Sequence, residues 1–149
     1  MNCKIRVQTE DFDQGAEYRD LANGTDAGAV VTFIGRVRDF SGDHKSLWLE
    51  HYAGMTEKVL TELAERARRR WPIFDVTIIH RIGQLSPGDQ IVFVGVSSAH
   101  RHAAFAACEF LMDFLKTEAP FWKREGDQWV AAKDSDQTAA DAWQTDKNS

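Results

Sequence analysis

A chain of 149 residues, 43% of them hydrophobic, is long enough to bury one core without disulfide or metal staples. Eighteen Lys and Arg against twenty-three Asp and Glu leave a formal charge of −5, which excludes a nucleic-acid binder built on a broad phosphate-neutralising face but leaves room for a small basic pocket. Two cysteines, Cys3 and Cys108, are too few and too far apart for a disulfide framework or a zinc site, and no run approaches the roughly 18 apolar residues that span a bilayer; the chain reads as one soluble, unprocessed domain over 1–149, suited to the reducing cytoplasm.

In chain order, residues 2–8 predict an edge strand and 12–21 a short polar helix closed near Asn23-Gly24. In GAVVTFIGRVRDF a period of two sets Val31, Phe33, Gly35 and Val37 on one face and Thr32, Ile34, Arg36 and Arg38 on the other. Residues 40–46 form a turn-rich loop before a second strand, LWLEHY. Apolar positions Met55, Val59, Leu60, Leu63, Ala67 and Trp71 predict a helix stopped by Pro72, with Arg66, Arg68, Arg69 and Arg70 suited to its C-terminal dipole. DVTIIHRIG and DQIVFVGVSS read as a long hairpin across Ser86-Pro87-Gly88-Asp89, and the unbroken apolar run Ile91–Val96 makes the second strand central. Phe105, Cys108, Met112, Leu115 and Ala119 mark an amphipathic helix from about His100 to Ala119, ended by Pro120. FWKREG and DQWVAA are short strands, and the polar stretch 134–149 reads as a mobile tail or a segment that a partner orders. Strands outnumber helices and come as hairpins as well as crossovers, so the class is α+β, with two main helices on a mixed, mostly antiparallel sheet.

The chemistry concentrates in HRHAAFAACEFLMDFLKTEAPFWKRE. His100, Arg101 and His102 occupy a helix N-terminus, where the dipole disfavours cations unless an anion neutralises the set, so His100 and Arg101 are candidate anion ligands. Lys116 in the last turn and Lys123 on the next strand each have an ordinary explanation, a dipole-matched lysine and a solubilising edge charge. The reversal at Pro120 allows the two to cluster, and clustered cations lower one another's pKa, which makes a lysine usable as a nucleophile or acid/base. Arg36 and Arg38 are either a fork for phosphate or an outward-facing polar edge. His51 and His80 stand in separate strands without a carboxylate at ligand spacing and read as core or surface histidines, with no metal site. Cys108 lies on an apolar helix face and Cys3 near the terminus; neither has the setting of a catalytic thiol.

Taken together, TFIGRVRDF, LEHYAGMTEK, IIHRIGQLSPGD, VFVGVSSAHR and LKTEAPFWKRE resemble the large, catalytic subunits of molybdopterin synthase, the MoaE-like family, over residues 28 to about 143. The resemblance implies an α/β-hammerhead type of α+β fold and a homodimer of large subunits. A small ubiquitin-like sulfur carrier would dock on each, making a heterotetramer. The implied reaction adds two sulfurs to cyclic pyranopterin monophosphate, forming the dithiolene of molybdopterin. The donor is the carrier's C-terminal Gly-Gly thiocarboxylate, and no cofactor is required. A chain without a reactive thiol must import its sulfur, which agrees with the cysteine reading. By the same resemblance Lys116 is the principal catalytic lysine and Lys123 its partner; Arg38, His100 and Arg101 match anion-binding positions, and Phe33 and Met112 line the pocket wall. Lys133, in VAAKDSDQ, stands where the family often has an arginine reaching the neighbouring subunit's pocket; lysine keeps the charge and loses the bidentate fork.

Overall fold

The computed structural model describes residues 2–39, 42, 45–125, 128–130 and 134–144, with backbone alone considered at 128–130, 134–136 and 144. Among these residues eight strands and four helices follow one another as β1 (Cys3–Gln8), α1 (Gln14–Leu21), β2 (Ala29–Arg36), β3 (Leu47–His51), α2 (Met55–Arg70), β4 (Ile73–Arg81), β5 (Gly83–Leu85), β6 (Gln90–Ser98), α3 (Arg101–Glu118), β7 (Phe121–Glu125), β8 (Gln128–Val130) and α4 (Asp134–Gln144). They form two four-stranded sheets, ordered β1-β4-β6-β2 and β5-β3-β7-β8. Among the described residues only β1 and β4 pair in parallel and the other pairings are antiparallel, in keeping with the α+β reading.

Helices α2 and α3 bury their apolar stripes on one face of the first sheet. Leu60, Leu63, Ala64 and Ala67 of α2 meet Phe110, Leu111, Phe114 and Leu115 of α3 over Val76 and Ile78 of β4 and Val92, Val94 and Val96 of β6. As expected from its apolar run, β6 is central, between β4 and β2. The opposite face is covered by α1, whose Leu21 packs with Phe12, Ile79 and Phe93. Gly95 makes that contact possible, since a Cβ there would lie 2.3 Å from Leu21 Cδ1. Asp13 starts α1 by accepting hydrogen bonds from the N–H groups of Gly15 at 2.9 Å and Ala16 at 3.2 Å, which satisfies two of the unpaired donors of the first turn. A third cluster, Val37, Leu47, Leu49 and Leu85 with Ile91, joins the two sheets.

Two sequence expectations change. The long hairpin is interrupted, because after β4 the segment Gly83–Leu85 leaves the first sheet and pairs with β3 in the second, Leu49 opposite Gly83. Residues 134–144 are helical instead of a tail. Ala140 is buried on the core, and Trp143 packs edge-on against Trp71 and Phe110 at centroid distances of 5.6 and 5.7 Å while its indole N–H bonds Asp113 Oδ2. The spacing of Ala140 and Trp143 is helical, but a polar surround hides so short an apolar stripe from a composition-based reading.

His80, on β4, is a titratable group strongly altered by folding. Burial pushes its pKa down to about 4 from an ordinary 6.5, with Lys116 and His51 adding to the effect against a hydrogen bond to the Arg81 carbonyl. The unfolded chain therefore binds a proton at a pH where the folded chain does not. The stabilisation is fully present above pH 6.5 and is lost as pH falls toward about 4, amounting in full to about 3 kcal/mol. Urea midpoints measured between pH 7 and pH 4.5 should fall for the native chain and change distinctly less for His80→Phe.

Candidate functional site: a cationic cleft where the two sheets meet

Strand β2 ends in a bulge, where the register passes from Gly35 opposite Val92 to Arg36 opposite Gln90. The chain nevertheless runs on alongside the Ser86–Asp89 turn: Val37 N–H donates to the Asp89 carbonyl and Gly88 N–H to the Val37 carbonyl, both at 2.8 Å. Gly88 adopts φ 92°, a conformation open to glycine, and its carbonyl accepts from Arg36 Nε at 3.2 Å. Val37 is buried in the cluster that joins the sheets, so the alternation on either side throws Arg36 and Arg38 outward together.

On the other side of the cleft α3 ends because Pro120 cannot continue it. Ala119 is already extended, at φ −71° and ψ 130°, and Phe121 N–H closes back on the Ala119 carbonyl at 2.9 Å. The reversal sets Lys116, in the last helical turn, beside β7. There Lys123 stands opposite Leu49, and the latter's side chain belongs to the inter-sheet cluster, so Lys123 shares the inner face of the second sheet. Glu125, two residues on along the same face, lies 3.6 Å from Lys123 Nζ.

These elements enclose a cleft of about 590 Å³. Arg36, Arg38, Lys45, Lys116 and Lys123 supply its cations, Asp39 and Glu125 its carboxylates, and Phe33, Val37, Leu47 and Ile91 its apolar walls. Among the described residues, five cations against two carboxylates line the cleft, an excess of three positive charges in a chain whose net charge is −5.

Of the residues singled out from sequence, Lys116, Lys123, Arg38 and Phe33 come together here, and Arg36 lines the same cleft. Met112 does not line the cleft; it packs against the main core from α3. His100 and Arg101 are exposed at the start of α3, and residues 101 and 116 stand fifteen positions apart along it, roughly 22 Å. A straight helix cannot bring its two ends to one cleft. Lys133 lies outside the described residues. Lys45, Asp39 and Glu125 were missed. Glu125 was visible in the period of two with Lys123, whereas Lys45 sits at the end of a loop with no periodicity to place it.

Neither cysteine belongs to the cleft lining. Cys108 is buried against the Val94 carbonyl, and burial, then the charge of Glu109, pushes its pKa up to about 12; it stays a thiol at neutral pH. Cys3 is exposed at the surface. Among the described residues no group of His, Cys, Asp and Glu is arranged to hold a metal ion.

The fold and site thus define a two-sheet α+β protein that can hold an anion and present two primary amines to it. Residues 7–118 match the family model described as MoaE protein, and the chain belongs to that family. It is 57% identical to the molybdopterin synthase catalytic subunit of Vibrio cholerae, covering 97% of this chain and all of that one. Identity with the protein of the same name from Escherichia coli is 58%, covering 94% of this chain and 97% of the relative. The solved molybdopterin biosynthesis MoaE protein of Burkholderia ambifaria superposes with a TM-score of 0.82 at 52% identity, over 94% of this chain and 97% of that one.

Inorganic phosphate or sulfate should bind the cleft weakly and lose affinity with added sodium chloride. Arg38→Ala should reduce the affinity by roughly tenfold, the worth of one charge-assisted hydrogen bond, as read by calorimetry.

Proposed function

We propose that the chain is the catalytic subunit of a molybdopterin synthase, a sulfurtransferase acting as one domain over residues 1–149. Its donor is the C-terminal Gly-Gly thiocarboxylate of a small ubiquitin-like carrier subunit, and its acceptor is cyclic pyranopterin monophosphate, which becomes the dithiolene of molybdopterin. The observation that carries this reading is the convergence of Lys116 and Lys123 in a cleft with excess positive charge. Both the phosphate of the acceptor and the thiocarboxylate of the donor are anions, and such a cleft favours both together.

Within it Lys116 takes the acid/base or nucleophilic role during sulfur transfer, and Lys123 steadies the thiocarboxylate and the negative charge that develops as sulfur moves. Arg38, with Arg36 and Lys45 beside it, holds the acceptor's phosphate, and Phe33 forms a wall for the pterin. The buried thiol of Cys108 is far too basic to serve as a sulfur relay, which fits a reaction that imports its sulfur. No helix among the described residues is long and apolar enough to cross a membrane, and we read the enzyme as cytoplasmic.

The length of α3 keeps His100 and Arg101 out of the cleft of their own chain. In the homodimer of large subunits, with a carrier on each to make a heterotetramer, we assign these two residues to the neighbouring copy's cleft, with Lys133 as a further contributor.

Reconstitution with thiocarboxylated carrier and the cyclic precursor, followed by mass spectrometry of the product, tests the reading. Lys116→Ala should lose at least about a hundredfold in kcat with binding of the carrier retained, the loss typical of removing a group used in the transition state. Retained full activity would refute the role given to Lys116. The dimer assignment has its own test, because chains carrying Lys116→Ala and chains carrying Arg101→Ala, each impaired alone, should recover about a quarter of native activity when equal amounts are refolded together. Half of the dimers are then mixed, and each mixed dimer has one intact cleft of two.

A further inference from the structure

His80 takes no part in the reading above, yet it is 6% exposed and lies beneath the turn that joins the two lysines. Its ring stacks on Phe121 with centroids 3.8 Å apart and planes 19° from parallel, while Nδ1 lies 2.8 Å from the Arg81 carbonyl oxygen. The ring is therefore held from two sides, by its own strand and by the first residue of β7. Phe121 is in turn the far end of the Ala119–Phe121 reversal. The Pro120 carbonyl in that reversal accepts from Tyr52 N–H and from the hydroxyl of fully buried Thr56, both at 3.3 Å. Lys116 precedes the reversal by three residues and Lys123 follows Phe121 by two. Any tilt of Phe121 would be transmitted along β7 to Lys123 and through Pro120 to the last turn of α3.

A buried imidazole is an expensive way to fill space, since burial opposes its protonation and its nitrogens need partners. An aliphatic side chain would fill a similar volume without that cost, but it offers no flat surface for a ring to lie on. We propose that His80 is a positioning residue for the lysine pair: its flat ring fixes Phe121, and through it the reversal that sets Lys116 and Lys123 at their working separation. The proposal rests on the sulfur-transfer reading of the cleft. His80 touches neither substrate nor the reacting atoms, so its effect is on geometry, and misplacement of a reacting group by about 1 Å is enough to cost up to a hundredfold in rate.

The test compares native enzyme, His80→Leu, His80→Phe and Lys116→Ala in the complex reconstituted with thiocarboxylated carrier and cyclic precursor. Circular dichroism and urea midpoints confirm that each variant is folded at the assay temperature. His80→Leu should lower kcat about tenfold while KM for the precursor stays within about twofold, and His80→Phe, which restores a flat ring, should recover most of that kcat. If leucine does not fold, His80→Met, flexible and not flat, takes its place. A His80→Leu enzyme with native kcat overturns the proposal. So does a loss that falls on KM, or a His80→Phe enzyme as impaired as His80→Leu. Full activity in Lys116→Ala is a different result: it removes the reading of the lysine pair, and the proposal with it, whereas an inactive Lys116→Ala beside an unaffected His80→Leu removes the proposal alone.

Discussion

The site depends on a helix being stopped. Lys116 and Lys123 are seven residues apart, and on a continuous α-helix those seven residues would carry both side chains along one stripe about 10 Å apart. Pro120 ends the helix, Ala119 is forced into extended backbone, and residues 121–125 become a strand that pairs with β3. What holds the turn is its surroundings. Its one free carbonyl is taken by Tyr52 and Thr56, its first strand residue lies on the His80 ring, and β7 is secured along its length to β3.

The second requirement is a surface that carries charge on one side and buries apolar side chains on the other. Val37, Leu47, Leu49 and Leu85 supply the apolar side where the sheets meet, and burial of such residues at roughly 1.5–3 kcal/mol each anchors the backbone that bears Arg36, Arg38 and Lys123. Cations that share a cleft repel one another to the extent that its carboxylates do not neutralise them, and the folded core must offset that repulsion. An arrangement of this kind is stabilised by an anion, which links the stability of the fold to occupancy of the cleft. The same apolar contacts that make the sheets adhere therefore make the cationic cleft possible.

Much of this was legible in the letters. The period of two in GAVVTFIGRVRDF placed Arg36 and Arg38 on one side, and the apolar stripe ending at Pro120 gave α3 nearly to the residue. Less was legible where pairing partners decide the outcome. Nothing local in RIGQL says that Gly83–Leu85 will leave its hairpin for β3, because a three-residue strand has too few side chains to show a pattern and gains its stability from the partner strand. The helix at 134–144 was hidden for a related reason: its anchor is a tertiary site formed by Trp71, Phe110 and Asp113, which lie far away in sequence. His80 was read as a core or surface histidine, and its contact with the lysine turn appears only when β4 and β7 are brought together.

The sequence by itself determined most of the local elements, though not β5 or α4, together with the helix stop, the sides on which the arginines and Lys123 emerge, and, through long shared segments, the family. Periodicity and proline act within a few residues, so a one-dimensional string records them faithfully. Only the tertiary structure decided which of the cations share a cleft. It drew Lys45 in from a patternless loop and packed Met112 against the core, because which side chains meet depends on contacts between elements far apart in the chain, whereas the helix-length separation of His100 and Arg101 from Lys116 already followed from the length of α3.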